Sequence, residues 1–421
     1  MNPGRVAPPV TPYQWWVLLV AWLGWVFDSM DSTLYALVLH PALSELLARG
    51  GTPPGNQAIG WYGGIIFSVF LIGWALGGVL FGVLADRMGR TRTLIATILI
   101  YAVFTGLAAL SQTWWQLAAY RFLTALGIGG EWAAGAALVA EVWPEERRAR
   151  AAGILQSAWA AGFLIAAAVT LLMKHAGWRP VFVVGIAPAA VALLVRLRVR
   201  EPERWVRSRG AASAARIGEL FAGALRRGTW VGSALAFVAV FGLWGATNWT
   251  PTLVRALPDV QSLDAAGQTT RVSIATMMLN AGALAGYLCF GPLAERFGRR
   301  PAFALMCAGS LVMLPVTFLA PSSYGHVIAL LPVLGFFNNG IFSGFTIYLP
   351  ELYPTRLRAT GAGFCFNIGR VLASVGPFVT GVLVAALGSF GRAASAVALI
   401  YVVGLVILPF APETRGRPLP E

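Results

Sequence analysis

Lysine is all but missing from this chain of 421 residues: Lys174 is the only one. Charge of any kind is scarce, at 11% of residues, where a soluble globular chain carries about 25%. With 57% hydrophobic residues and a mean hydropathy of +0.71, that scarcity excludes a soluble globular fold and puts the chain in a bilayer. Histidine is rare, and His40, His175 and His326 all fall at the outer ends of apolar runs, which removes imidazole as a proton carrier at mid-membrane. Cys289, Cys307 and Cys365 lie inside apolar runs without metal-ligand spacing and read as small packing residues. The pattern holds no nucleophile–base pair and no metal-ligand set, so the chain does not read as an enzyme and calls for no cofactor or metal.

The charge that is present is mostly arginine, giving a formal net charge of +14. On a soluble chain that would point to nucleic acid. Here the arginines cluster in short polar breaks between apolar runs, the distribution of the positive-inside rule, and nucleic acid is set aside as a partner. The runs lie near 15–39, 58–81, 93–111, 114–140, 151–173 and 178–199, then near 229–250, 271–291, 301–320, 326–349, 360–387 and 393–410. Each is long enough for a ~30 Å hydrocarbon core at ~1.5 Å per residue, which predicts an all-α protein of twelve transmembrane helices. The first run is too long for a signal-peptide core and lacks a small-x-small cleavage site, so it reads as retained.

Arg87, Arg90 and Arg92, then Arg147, Arg148 and Arg150, Arg296, Arg299 and Arg300, Arg356 and Arg358, and Arg415 and Arg417 all fall on one side of that topology. This predicts both termini in the cytoplasm and a multi-pass protein of the cell (inner or plasma) membrane. The expected organisation is an N-terminal arm (1–14), a six-helix bundle (15–199), a cytoplasmic linker (200–228), a second bundle (229–410) and a tail (411–421). Within the linker, Ile217, Leu220, Phe221 and Leu225 recur at helical spacing and predict an amphipathic helix on the membrane face.

The two bundles are marked as duplicates. Gly82-Val-Leu-Ala-Asp86-Arg87-Met-Gly89-Arg90 returns as Gly291-Pro-Leu-Ala-Glu295-Arg296-Phe-Gly298-Arg299, an offset of 291 − 82 = 209. Glu141-Val-Trp-Pro, running on to Arg148, returns as Glu351-Leu-Tyr-Pro, running on to Arg358, an offset of 351 − 141 = 210. Two homologous halves in one polypeptide is the plain reading. An acid at the end of one helix can pair with arginines and with the N-terminus of a neighbour, so Gly82, Asp86, Arg87, Gly89, Arg90, Glu141 and Arg148, with Gly291, Glu295, Arg296, Gly298, Arg299, Glu351 and Arg358, are read as gating residues.

These segments resemble the major facilitator superfamily over essentially the whole chain. Pro202-Glu-Arg-Trp and Pro412-Glu-Thr-Arg-Gly resemble its sugar-porter-related branch. Asp28-x-x-Asp31, with Arg121 followed by Gly127-Ile-Gly-Gly-Glu131-Trp, resembles the aromatic-acid and sialate-type proton symporters within that branch. The resemblance implies two pseudo-symmetric six-helix bundles around a central cavity, alternating access, and a functional monomer. The proline-bearing fifth-helix motif of drug/proton antiporters is absent from 151–173, which counts against drug export.

Five ionisable residues sit well inside apolar runs: Asp28, Asp31, Arg121, Glu131 and Arg370. A mid-bilayer charge costs roughly 2.5–3.5 kcal/mol even on lenient scales, so these groups must face a cavity or each other. Asp31 and Arg121 are placed at similar depth and are expected to pair. Arg370 has no acid at its depth in the second half, and its planar guanidinium suits a carboxylate supplied by substrate. The expected division is proton coupling through Asp28, Asp31, Glu131 and Arg121, and anion capture through Arg370, supported by Asn367, Asn338, Asn339, Trp244, Asn280 and Gln156. The function expected is proton-coupled symport of a small organic anion, a mono- or aromatic carboxylate. A sugar or polyol porter is the alternative.

Overall fold

The computed structural model describes residues 9–421 except 52–55, 174–176, 188–189, 191–193, 195–197, 210–215 and 322. Among the described residues every regular element is a helix. The first half holds α1 (Pro12–Arg49), α2 (Asn56–Met88), α3 (Arg90–Ala108), α4 (Trp114–Val142), α5 (Arg148–Leu172) and α6 (Trp178–Val184), with a short α7 (Glu203–Arg209) beyond. The second half holds α8 (Leu225–Ala246), α9 (Ala265–Phe297), α10 (Arg299–Leu319), α11 (Tyr324–Glu351), α12 (Arg358–Ala373), α13 (Gly376–Leu387), α14 (Phe390–Ala398) and α15 (Ile400–Ile407). Nine stretches among the described residues are long and apolar enough to cross a membrane.

Small residues set how closely the helices pack. On α2, Ile72, Leu76 and Leu80 recur every fourth residue and are exposed, a stripe that faces lipid. Beside that stripe lies Gly77, where a Cβ would strike the Leu126 backbone of α4. Lipid is as apolar as leucine, so close backbone approach of this kind, rather than hydrophobic burial, holds membrane helices together. The halves meet along α2 against α12 and α5 against α9.

Several boundaries differ from those expected. α1 continues to Arg49 because Leu43, Leu46 and Leu47 bury against Trp178 and Phe182, and Glu45 accepts bonds from Trp178 Nε1 (2.7 Å) and Arg179 Nη1 (2.6 Å). The duplicated motifs are not loops. Gly82–Met88 is the last part of α2 and Gly291–Phe297 the last part of α9, since nothing breaks either helix before Gly89 (φ +117°) and Gly298 (φ +106°). The expected amphipathic linker helix is a short 3₁₀ turn, Ile217–Phe221, with Leu220 buried, and Leu225 already belongs to α8. The single span expected over 360–387 breaks between α12 and α13, where the proline at the start of α13 has no N–H to donate to the preceding turn. Most of 188–197 in the expected sixth span, 1–8 in the arm and 210–215 in the linker lie outside the described residues.

Candidate functional site

The central cavity lies between the halves. Its first-half wall is Trp25 on α1, Trp74 on α2, and Gln156 and Trp159 on α5. Its second-half wall is Val240, Leu243 and Trp244 on α8, Tyr287 on α9, Phe342 on α11, and Phe366 and Arg370 on α12. The free space among them is about 40 Å³, room for a few water molecules and too little for an organic acid. The walls must part before any substrate enters.

Arg370 is the cation of this cavity. Its guanidinium lies 4.1 Å from the Trp74 ring centroid, across the half boundary, and 4.4 Å from that of Phe366. One nitrogen reaches Asn367 Oδ1 at 3.4 Å, and among the described residues no carboxylate stands within ion-pair distance. Asn367 is fixed in turn by its bond to Gly363 O (2.8 Å) and sits where α2 carries Gly78, whose missing Cβ leaves it room. Gln156 Oε1 accepts from Thr346 Oγ1 at 2.9 Å, joining α5 to α11 across the cavity. Trp244 packs 5.6 Å from Phe67 of α2, closing the opposite end.

The acids lie in the first half. Arg121 Nη1 holds Asp31 at 2.8 and 3.1 Å, and Thr105 Oγ1 donates to Asp31 at 2.7 Å. The guanidinium lies between the Tyr35 and Phe70 rings, at 4.7 and 4.6 Å. Asp28 and Glu131 are fully buried, and apart from each other their carboxyl groups have no hydrogen-bond partner among the described residues. They face each other, with Asp31 and Arg370 also within electrostatic reach of Asp28. Glu131 occupies the space opened by Gly24 of α1, where any Cβ would collide with its Oε1.

Three amides expected at the cavity go elsewhere or stand aside. Asn338 is fully buried and accepts from Tyr401 Oη at 2.9 Å, so it faces the interior of the second half. Asn280 donates to Thr276 O and borders an apolar groove against α5. Asn339 is half-buried one turn from Phe342 on the same face of α11, but it does not line the cavity. Trp25, Trp74, Tyr287, Phe342 and Phe366 were missed, because an aromatic in a membrane helix reads equally as lipid belt.

At the helix ends that carry them, the duplicated motifs form a network of ion pairs and hydrogen bonds between the halves. Asp86 accepts the Ala359 and Thr360 N–H groups (3.2 and 2.7 Å) at the start of α12. Arg90 bonds both Asp86 (3.0 Å) and Glu141 (2.9 Å), and Glu141 takes Arg358 from the other half at 2.7 Å. The second copy repeats the in-half part, with Arg299 on Glu351 at 2.6 Å, and its acid Glu295 meets the start of α5 at Arg150, whose backbone N–H and exposed side chain (3.0 Å) both reach it. Arg148 bonds Ala140 O (2.9 Å) as Arg358 bonds Pro350 O (3.1 Å). A Cβ at Gly82 or Gly291 would strike the facing helix at Ala359 or Ala149. Arg87 and Arg296 are exposed at the same ends, Arg296 over the Phe297 ring.

Two further acids belong to this layer and were not singled out. Glu201 accepts the Thr91 and Arg92 N–H groups at the start of α3, and Glu413 accepts those of Arg299 and Arg300 at the start of α10. Gly89 and Gly298 leave the carboxylates their space. Burial works to raise the Glu413 pKa, but its backbone N–H partners outweigh that and hold it below the ordinary value.

Known proteins share this architecture. The structure of the proton:xylose symporter XylE bound to 6-bromo-6-deoxy-D-glucose superimposes with a TM-score of 0.77 at 19% identity, covering 97% of this chain and 98% of that one, a likeness of fold. A protein of Cupriavidus pinatubonensis named as a probable 4-methylmuconolactone transporter is 30% identical over 96% of this chain and 92% of its own. The niacin transporter NiaP of Acinetobacter baylyi is 27% identical over 98% of this chain and 97% of its own. The family model described as Major Facilitator Superfamily matches residues 21–266 and 256–421, and the chain belongs to that superfamily, a multi-pass membrane transporter and not an enzyme.

Proposed function

We propose that this protein is a proton-coupled symporter of a small organic anion, a mono- or aromatic carboxylate, working by alternating access as a monomer with both termini in the cytoplasm. The observation that carries the reading is Arg370, a cavity cation held between two aromatic faces with no carboxylate partner among the described residues. A substrate carboxylate supplies that partner, and the Trp25, Trp74 and Trp159 rings offer flat faces to a planar body. A neutral polyol needs no such cation. Relatives named for niacin and 4-methylmuconolactone transport support the same substrate class.

The proton goes to Asp28 or Glu131. Two buried carboxyl groups that face each other repel when both are charged, and a single proton held between them removes that repulsion. Asp31 is already neutralised by Arg121 and positions that arginine. One carboxylate moving with one proton is electroneutral.

The test is uptake into proteoliposomes containing a pH-sensitive dye, with a panel of carboxylates and sugars and with Arg370→Ala vesicles as the control for weak acids crossing the lipid. Interior acidification by one carboxylate, lost in the variant, is the expected result. Carboxylates matching the control while a labelled sugar accumulates would sink the reading in favour of a sugar or polyol porter.

A further inference from the structure

A second cleft, of about 710 Å³, opens at the cytoplasmic end of the first half, well away from the central cavity. Arg198, Arg200 and Arg204 line it together with Thr11 and Gln14 from the start of α1. The carboxylates around it are largely engaged: Glu141 by Arg90 and Arg358, Glu201 by the N–H groups of Thr91 and Arg92, and Glu203 by Arg207 at 2.8 Å. Glu421 bounds the cleft on the side of the C-terminal tail. Arg204 reaches Glu145 at only 3.5 Å, and among the described residues neither Arg198 nor Arg200 pairs with any carboxylate. Two exposed guanidinium groups are left facing a polar space.

The position of the cleft says what kind of anion fits it. Thr11, Trp15 and Leu19 follow one another at every fourth residue, so the face of α1 that enters the cleft at Thr11 continues into the bilayer through Trp15 and Leu19. Trp15 is 50% exposed and Leu19 43%, a large aromatic and an aliphatic side chain with an open face at the level where tryptophan marks the membrane interface. Arg198 lies over the ring of Trp16, its guanidinium 5.3 Å from the centroid, which holds it at the same level. A cleft with two unpaired guanidinium groups, sharing a helix face with an exposed apolar stripe, matches a molecule with an anionic head and apolar tails.

We propose that this cleft binds the headgroup of an anionic phospholipid, the phosphate held by Arg198 and Arg200 and the acyl chains lying along Trp15 and Leu19. Guanidinium groups suit phosphate oxygens bidentately, and an arginine near the membrane surface adds measurably to attraction for anionic lipid.

The experiment is a titration of the purified transporter in detergent with dioctanoyl phosphatidylglycerol, in parallel with dioctanoyl phosphatidylcholine and with inorganic phosphate. Saturable binding of phosphatidylglycerol, weakened about 30-fold in an Arg198→Ala, Arg200→Ala double variant, is expected. An Arg226→Ala, Arg415→Ala control, which removes equal cytoplasmic charge elsewhere, keeps wild-type affinity. Equal loss in both double variants, no loss in either, or inorganic phosphate competing as well as the lipid would overturn the proposal. Where the double variant fails to fold, the Arg200→Gln single variant carries the same comparison, with a loss of about fivefold.

Discussion

Arg370 and Trp74 belong to opposite halves of the molecule, yet the guanidinium of one lies 4.1 Å from the ring centroid of the other. The pairing closes the cavity around the one charged group in its wall. Any motion that separates the halves must break this contact. On the proposed function a substrate carboxylate on Arg370 compensates for the loss, which links binding and opening through a single side chain.

Arg370→Ala is expected to weaken binding strongly, and Arg370→Lys to restore little of it. Lysine keeps the charge but has neither the planar face that stacks between Trp74 and Phe366 nor the bidentate fork. Loss of a charged hydrogen-bonded contact corresponds to roughly 1.5–3 kcal/mol, or about 10- to 100-fold in affinity. Substrate counterflow in proteoliposomes reads this without a proton gradient. Full rescue by lysine would show that only charge matters.

Asp28→Asn and Glu131→Gln are expected to separate coupling from exchange. Each replaces one carboxyl of the facing pair by an amide of the same shape that can still bond its neighbour, so the fold and counterflow should survive while gradient-driven accumulation is lost. Asp31→Asn should behave differently, because it strands the fully buried Arg121 without its partner. Breaking a buried pair costs about 3–5 kcal/mol, so that variant loses thermal stability as well as both transport assays. Accumulation persisting in both Asp28→Asn and Glu131→Gln would move the proton site elsewhere.

How much of this was legible in the sequence depends on what distinguishes one side chain from another along a membrane helix. Depth can be counted at a fixed rise per residue, which is why Asp31 and Arg121 could be matched across α1 and α4 before any coordinates. Duplication is also readable, and Asp86, Arg90, Glu141 and Arg358 come together where the repeated motifs placed them. Helical phase is not readable in the same way, because these helices are apolar all round and no polar face marks the cavity. Asn338 and Asn339 sit at one depth, but Asn338 turns to Tyr401 while Asn339 shares the face of Phe342. The capping acids Glu201 and Glu413 escaped for another reason: each lies more than a hundred residues from the helix start it caps.

Asp86→Asn is expected to loosen the network that joins α2 to α12. The carboxylate accepts two N–H groups at the start of α12 and an ion pair from Arg90, and an amide can present only one acceptor oxygen to them. With these ends on the cytoplasmic side, as proposed, separating α2 from α12 there should shift the equilibrium towards the inward-open form. A Val240→Cys reporter in the cavity wall should then react several-fold faster with an impermeant maleimide from the cytoplasmic side, as a shift of about 1.4 kcal/mol is tenfold in population. Glu295→Gln should have the smaller effect, because its partner Arg150 is exposed. Equal effects of the two would show that the copies share the gating load.

Glu413 makes stability depend on pH with a definite sign. Its pKa is held below the ordinary glutamate value in the folded protein, so the unfolded chain binds the proton more readily. The stabilisation is therefore complete above the ordinary glutamate range and is lost as pH falls through the depressed value. Glu413→Gln should lower the thermal midpoint at neutral pH by the equivalent of about 1 kcal/mol, the usual worth of a helix cap, and less where the rim of the site is wet. In acid the variant and the wild type should converge. A gap that stays constant from neutral to acid pH would mean that the side chain acts through packing and not through the charge it offers to the N–H groups of Arg299 and Arg300.

Gly24→Ala tests the placement of Glu131 with a single methyl group. The new Cβ would occupy the position of Glu131 Oε1, and both residues are held in tightly packed helices. Glu131 must then turn away from Asp28 or α1 must shift. Either response breaks the facing pair, so accumulation driven by a proton gradient should fall in the way it does for Glu131→Gln, with counterflow retained. Gly135→Ala is the control. It lies one turn further along α4 than Glu131, and the nearest atom to its added Cβ is the Ala21 Cβ at 3.9 Å, an ordinary contact. Uptake against a gradient measured for both variants separates the two accounts. Normal accumulation in Gly24→Ala would show that Glu131 does not need its position beneath α1, and with it the shared-proton role of the pair would fall.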